Sequence, residues 1–429
     1  MRRPSVVVLT LLIVAVSPLA AQRHPPVRPL GPVTQVSPPD LLGSVSIVRT
    51  LPGGRVLVSD ITRRQVLLLD AEFHKVKSVV DSANGAGTFW SGPMSGLLPF
   101  KRDSSLVVDP RTYTMLVIDA NGDVARVMAI PSVRDAPFMV GGPFGTPGYD
   151  ARGRIVFRGA PAEAARSAGD GPRASTTVAR PIFADSAPIL RIDLATRNRE
   201  LLTYVKIPQV LGSSTFDTAD RLDGTTLIVN PLPTIDDWAM MPDGRIAVVR
   251  GKDYHVDWLE LDGRWTSTGK IPYTWERLDD DAKQRVVDSV TTERERLLEA
   301  GRRKREADSL ADTKSSNVTY SRNPDVPAAR QQFRVVRLTQ LVVPAKQLPD
   351  YRPAFGQGAV RADDDGNLWV RTTTASDAGH IYDVINGQGV LVDRVKLPFG
   401  RVISGFGKGV VYMGVLGGKG ARLEMARFK

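Results

Sequence analysis

The chain has 429 residues, 42% of them apolar and 24% charged, with 38 glycines, 31 prolines, no cysteine and a formal net charge of +11. That length supports one large domain or two ordinary ones, and the composition is that of a globular protein rather than a disordered or fibrous one. Without cysteine there can be no disulfide, thiolate metal site, cysteine nucleophile or lipid-modified cysteine, while the basic balance favours anionic partners without naming one.

Residues 1–21 read as an export signal. Arg2 and Arg3 form a short basic region, residues 6–16 are an apolar run, and Ser17-Pro18-Leu19-Ala20-Ala21 supplies small residues for cleavage, expected after Ala21. The run is too short for a membrane span, and no other stretch approaches the roughly 18 apolar residues that a span needs. The expectation is a soluble mature chain in the periplasm or outside the cell of a bacterium, with no lipid anchor and no transmembrane span. Losing Arg2 and Arg3 lowers the net charge from +11 to +9. Residues 22–44 form a proline-rich lead-in containing Pro25, Pro26, Pro29, Pro32, Pro38 and Pro39, with one candidate strand at residues 32–36.

From residue 45 to residue 429 a unit recurs. A tight turn appears as Pro52-Gly53-Gly54, Arg102-Asp103-Ser104, Ala151-Arg152-Gly153, Pro242-Asp243-Gly244, Asp364-Asp365-Gly366 and Gly407-Lys408-Gly409. An apolar, β-branched run follows each turn, at residues 56–58, 106–108, 155–157, 246–249, 368–370 and 410–413. A second run comes next, at residues 66–69, 115–118, 189–192, 256–261, 381–385 and 423–426, and a further strand ends in Ile130-Pro131, Ile207-Pro208, Ile271-Pro272 or Leu397-Pro398. Short strands with regular turn signals predict an all-β repeat fold, and four strands per unit of about 40–50 residues predict propeller blades. Six units are counted. The last is one strand short, so the strand near residues 32–36 is expected to complete it.

Three pieces carry a family resemblance: LPGGRVLVSDITRRQVLLLD at residues 51–70, MPDGRIAVVRGKDYHVDWLELDG at residues 241–263 and YRPAFGQGAVRADDDGNLWVR at residues 351–371. They resemble the bacterial six-bladed β-propeller proteins related to NHL-repeat proteins. The resemblance implies the fold and leaves the function open, because such propellers serve as hydrolases, lyases, dehydrogenases and binding scaffolds.

Two stretches interrupt the repeat. Residues 160–187, rich in Ala, Gly, Ser and Pro, fall between the second and third strands of the third unit and read as a mobile loop. Residues 275–334 separate the fourth and fifth units. Within them Val286, Val290, Leu297 and Leu298 give a thin apolar stripe at helical spacing, which Gly301 is expected to interrupt before the basic run Arg302-Arg303-Lys304-Arg305, so the stretch reads as one or two helices. The prediction is an all-β, six-bladed propeller with a helical insertion between blades four and five. Residues 333–343 could be a strand or an ordered return.

No motif points to a reaction. His24, His74, His255 and His380 are scattered without metal-ligand spacing, and Asp363-Asp364-Asp365-Gly366 lacks the alternation of a calcium loop, so neither a metal nor a cofactor is assigned. Gly141-Gly142-Pro143-Phe144-Gly145 opens no helix that could hold a phosphate and reads as a connection. The more specific constellation comes from repeat position. To within one residue, so that some of them are turned aside, the end of the second strand carries Asp60 and Asp109 in the first two units and Arg158, Arg250 and Arg371 in the next three. If these point inward, one face has an acidic and a basic sector, and arginine there could grip a carboxylate or phosphate through two bonds. The competing account is that each arginine pairs with a neighbouring acid and holds the units together. Tyr254, Trp258, Tyr273, Trp275 and Trp369 cluster in the same units, either as packing or as a sugar-stacking platform.

The expected function is non-enzymatic: an exported binding or scaffold propeller recognising an anionic, glycan or protein ligand on the face that bears both insertions. Arg158, Arg250, Arg371, Asp60, Asp109 and Tyr254 are its candidate contacts. The alternative is a propeller hydrolase or lyase, calcium-dependent in one form. No nucleic-acid motif is present.

Overall fold

The computed structural model of the protein describes residues 24–81, 96–150, 152–164, 179–216, 222–315, 337–374, 376, 379–417 and 420–428. The expected signal at residues 1–21 lies outside them, as does the middle of the loop expected at residues 160–187.

Runs that are apolar at every position, such as Val66-Leu67-Leu68-Leu69, require a strand buried on both faces. Six sheets provide such strands, each an antiparallel meander in which spatial order follows chain order. The first holds Ile47–Thr50, Val56–Asp60, Gln65–Leu69 and Lys75–Asp81. The second holds Gly96–Pro99, Ser105–Asp109, Thr114–Ile118 and Val124–Ala129. The third holds Gly148–Tyr149, Arg154–Arg158, Ser186–Asp193 and Arg199–Lys206. The fourth holds Asp237–Met240, Ile246–Arg250, His255–Leu259 and Trp265–Ser267. The fifth holds Phe355–Ala362, Leu368–Thr372, Ile381–Ile385 and Leu391–Lys396. The sixth holds Arg401–Gly407, Val410–Gly417 and Gly420–Arg427.

The sixth sheet takes its fourth strand from the other end of the chain: Val33–Val36 pairs antiparallel with Gly420–Arg427. Just before it, Val27–Pro29 adds in parallel to the outer strand of the fifth sheet. Between these two strands Arg28 donates to Asp393 and to the Phe428 carbonyl, so one side chain ties both sheets to the lead-in. Two outer edges that would otherwise offer unpaired backbone are thereby covered.

The sheets face one another in cyclic order, with a separate apolar core in each seam. Alternation along one strand shows how. Leu57, Val66 and Leu68 pack against Leu97, Val107 and Leu116 of the second sheet. Val56, Val58, Leu67 and Leu69 point the other way, against Tyr412 and Leu423 of the sixth. Similar clusters join the second sheet to the third, the third to the fourth, the fourth to the fifth and the fifth to the sixth. The residue before each recurrent proline anchors this arrangement. Ile130, Ile207, Ile271 and Leu397 are all buried in a seam, and their N–H groups donate to Tyr113, Asp185, Tyr254 and His380, all just ahead of a third strand. The proline then directs the chain to the next sheet without leaving a donor unpaired.

Two features go beyond the repeat. One helix, α1 at Asp280–Ser315, runs without a break through Gly301, which had been expected to interrupt it. An exposed glycine costs a helix only about 1 kcal/mol relative to alanine, too little to end one. Asp279 caps the first turn through the Ala282 N–H, and Lys283 pairs with Asp350 at 2.6 Å. The second feature, unforeseen, is a seventh sheet made of Arg180–Pro181, Val210–Phe216, Leu222–Val229 and Arg337–Val342. Its edge strands come from the first interruption and from the return after the second, so the two interruptions meet in one element. Among the described residues no helix is long and apolar enough to cross a membrane.

Candidate functional site

The first strands of the six sheets are innermost. They touch in order from the sixth to the first and on to the fifth, and the fifth closes on the sixth through Trp369, Tyr382, Ile403 and Phe406. Between them lies a cavity of about 370 Å3 lined by all six sheets, with Ile47, Leu97, Met240 and Phe406 among its apolar walls and Arg49 and Arg361 among its charges. A second cavity of about 230 Å3 shares Ile47, Leu97, Thr146 and Arg361 with it. Such volumes suit a small molecule.

The glycine-rich connection between the second and third sheets helps shape this space. Thr146 donates its hydroxyl to the Val360 carbonyl at 3.0 Å. Gly358, at φ +68°, lies so close to the connection that a Cβ there would sit 2.8 Å from the Gly142 carbonyl oxygen. A side chain would therefore push the connection off the inner strand.

The strand-end residues singled out in the sequence are brought to one side of their sheets, where most are fully engaged. Asp60 accepts from the Gly43, Ser44 and Arg63 N–H groups and from Gln65, and so closes its turn onto the lead-in. Asp109 accepts from the Arg111 N–H and the Thr112 hydroxyl. Arg250 pairs with Asp236 at 2.8 Å and Asp257 at 2.7 Å. Burial alone would lower its pKa, but those two carboxylates outweigh it and hold the guanidinium above its ordinary range. Tyr254 is 0% exposed, and its hydroxyl donates to Asp383 in the fifth sheet at 2.9 Å. These four are engaged as turn locks and seam struts, and of them only Arg250 keeps part of its side chain exposed. The aromatic cluster is likewise packing: Tyr254, Tyr273 and Trp275 form a chain of edge-to-face contacts at 5.6 and 5.2 Å, and Trp369 is buried with its Nε1 donating to Asp363.

Arg158 is different. Its guanidinium lies 5.0 Å from the Phe138 ring and 4.5 Å from the Phe144 ring, and its Nε has no partner. Burial lowers its pKa to about 10, with Asp237 acting in the opposite direction. Asp237 opens the inner strand of the fourth sheet and accepts the Val360 N–H at 3.0 Å across the seam. Burial raises its carboxyl to about 6, against the pull of the backbone N–H groups of Val360 and Trp238.

Arg371 and Arg361 form a second uncompensated corner among the described residues. Arg371 is the penultimate residue of the second strand of the fifth sheet, opposite Tyr382; Arg361 sits on the adjacent inner strand. Neither guanidinium makes an ion pair or hydrogen bond among the described residues. Arg361 is half-buried, on the wall of the cavity. Burial pushes its pKa down; Arg371 adds to the effect, while Tyr382 and Asp237 oppose it. His380, partly enclosed, is also held below its ordinary value, by burial and then by Arg371. Arg371 thus disfavours the charge of both Arg361 and His380, and an anion there would relieve both. Arg361 was not foreseen. The signal was available, because it is the penultimate residue of an inner strand, where Leu98 and Ala239 stand in the second and fourth sheets. Among the described residues no group of three or more His, Asp or Glu is arranged to hold a metal ion.

No family model and no curated protein sequence matches the chain. Solved structures do. A catalytically inactive virginiamycin B lyase from Staphylococcus aureus with quinupristin is similar at 9% identity, over 91% of this chain and 98% of its own, with a TM-score of 0.39. A gluconolactonase from Xanthomonas campestris is similar at 12% identity, over 94% of this chain and 98% of its own, with a TM-score of 0.39. A member of the DUF4221 family from Bacteroides vulgatus reaches a TM-score of 0.47 at 10% identity, over 93% of this chain and 97% of its own. At these identities and TM-scores none of them transfers an activity or a ligand to this chain.

Proposed function

We propose that the protein is an exported, six-bladed β-propeller of the bacterial envelope, with α1 as an insertion between its fourth and fifth blades. We read it as a non-enzymatic binding module that takes up a small anion at Arg361 and Arg371. The six cyclic seams support the blade count, and the seventh sheet supports the two insertions lying on one side. The observation that carries the function is the uncompensated pair. The arginine at the end of the fourth blade's second strand is neutralised twice over, whereas Arg361 and Arg371 have no acid within ion-pair distance among the described residues. A partly buried cation without a partner is unfavourable unless something else satisfies it. Arginine also presents a planar fork of donors suited to carboxylate and phosphate.

Calorimetric titration of the mature protein with acetate, sulfate and inorganic phosphate at low ionic strength tests this. Saturable binding of at least one is expected, weakened at least about tenfold in Arg361→Ala with the melting temperature maintained. No saturable binding, or binding indifferent to Arg361→Ala, would refute it.

A further inference from the structure

Resting on the anion-binding reading, we infer that the ligand carries two anionic groups and lies within the cavity with one group at Arg361 and the other at Arg49. Arg49 and Arg361 are both penultimate residues of inner strands, in the first and fifth sheets. Those two sheets flank the sixth. Equivalent strand positions bring both guanidinium groups to the wall of the same cavity of about 370 Å3.

Arg49, like Arg361, makes no side-chain ion pair or hydrogen bond among the described residues, and in addition its Nε is buried. Burial holds its pKa down against Asp364 and Asp103, neither of which comes within ion-pair distance of it. Asp364, the stronger of the two influences, is itself pushed up by burial and accepts only a long 3.4 Å bond from Thr50. The cavity wall thus carries two arginines without an ion-pair partner and two acids, Asp364 and Asp363, the latter already accepting from Asn367 and Trp369. The other lining includes Ile47, Leu97, Met240 and Phe406, which offer a hydrocarbon no polar partner and suffer nothing from its presence. Two arginines without an ion-pair partner on one wall, with apolar surface beside them, suit a ligand with two anionic groups, of which a short aliphatic dicarboxylate is the simplest. A single anion would satisfy one arginine and leave the other as it is.

The experiment is a calorimetric series on the mature protein. Acetate, butyrate and hexanoate are compared with succinate, glutarate, adipate and pimelate, and inorganic phosphate serves as the compact alternative. One dicarboxylate is expected to bind at least about tenfold tighter than the monocarboxylate of equal length. Arg49→Gln should abolish that preference and leave monocarboxylate binding unchanged, while Arg361→Gln weakens both classes. If Arg49→Gln fails to fold, Arg49→Lys is read instead; it keeps the charge without the fork and should reduce the preference by about threefold or more. Equal binding of mono- and dicarboxylates, or an Arg49 variant that weakens both alike, overturns the two-group inference and leaves the anion reading standing. Phosphate binding tighter than any dicarboxylate, with equal losses in both variants, points to one compact anion and also overturns it. If no carboxylate and no phosphate binds, the anion reading fails and this inference fails with it.

Discussion

Arg250 and Arg371 stand one register position apart near the end of the second strand in successive repeats, and so face opposite seams with opposite surroundings. Around Arg250 the connection into the fourth sheet supplies Asp236, the adjacent third strand supplies Asp257, and the Tyr204 carbonyl accepts a third contact at 3.4 Å. Around Arg371 the neighbouring strands supply Arg361, Tyr382 and His380, and no carboxylate approaches. A shift of one residue turns a strand's side chain to its other face, so one arginine is a strut and the other has no ion-pair partner among the described residues. A repeat specifies where a side chain stands but not what faces it, and the facing residues decide between structure and function.

Four measurements would break or sharpen this contrast. The largest effect is expected at Asp237, which sits between the two environments. Its carboxyl titrates at about 6 in the folded chain, against about 3.9 when unfolded. Folding therefore favours the protonated acid. Its stabilising contribution is complete below about pH 4 and is lost as the pH rises through about 6. Wild type should lose on the order of 3 kcal/mol relative to Asp237→Asn across that window, read from urea midpoints at several pH values. A difference that stays flat would mean that Asp237 is charged throughout and neutralises the corner.

Arg250→Ala comes next. It leaves Asp236 and Asp257 without their shared cation. Because the Arg250 side chain is 24% exposed, the loss should be about 2 kcal/mol rather than the larger cost of a fully buried pair. Anion binding should be unaffected. Unchanged stability with lost binding would make Arg250 a ligand contact and erase the contrast. Tyr254→Phe removes the hydroxyl donor to buried Asp383, which keeps only Arg394. A loss of about 1–2 kcal/mol is expected, and a neutral result would show that the Arg394 pair alone satisfies Asp383. The smallest effect has the opposite sign. Arg361→Met removes an uncompensated charge and should raise stability, by up to about 1 kcal/mol, in the absence of anion. A marked fall in melting temperature would reveal a partner for Arg361 within the protein.

Much of the fold was legible in the residues. The strands, the turns between the first and second strand of each sheet, and the completion of the sixth sheet by residues near Val33–Val36 followed from runs, glycines and a count that came out one short. The role of Ile or Leu before each recurrent proline was legible as a position but not as a seam anchor, since the burial comes from the next sheet. The seventh sheet was missed because Arg180–Pro181 is too short to show a period and the remaining strands fall outside the repeat. Gly301 misled because its cost is local, and a long helix absorbs it.

Alternation along a strand is set by residues two apart, and a turn by three or four neighbours, so these were determined by the sequence alone. Whether a charge is neutralised depends on residues brought close from distant repeats. Asp237 and Val360, whose hydrogen bond spans 123 positions, meet beside Arg361, and Arg49 and Arg361 share one cavity. Electrostatic compensation falls off within a few ångströms in space and has no period along the chain. Only the tertiary structure could therefore distinguish the arginines that hold the sheets together from those left without a partner among the described residues.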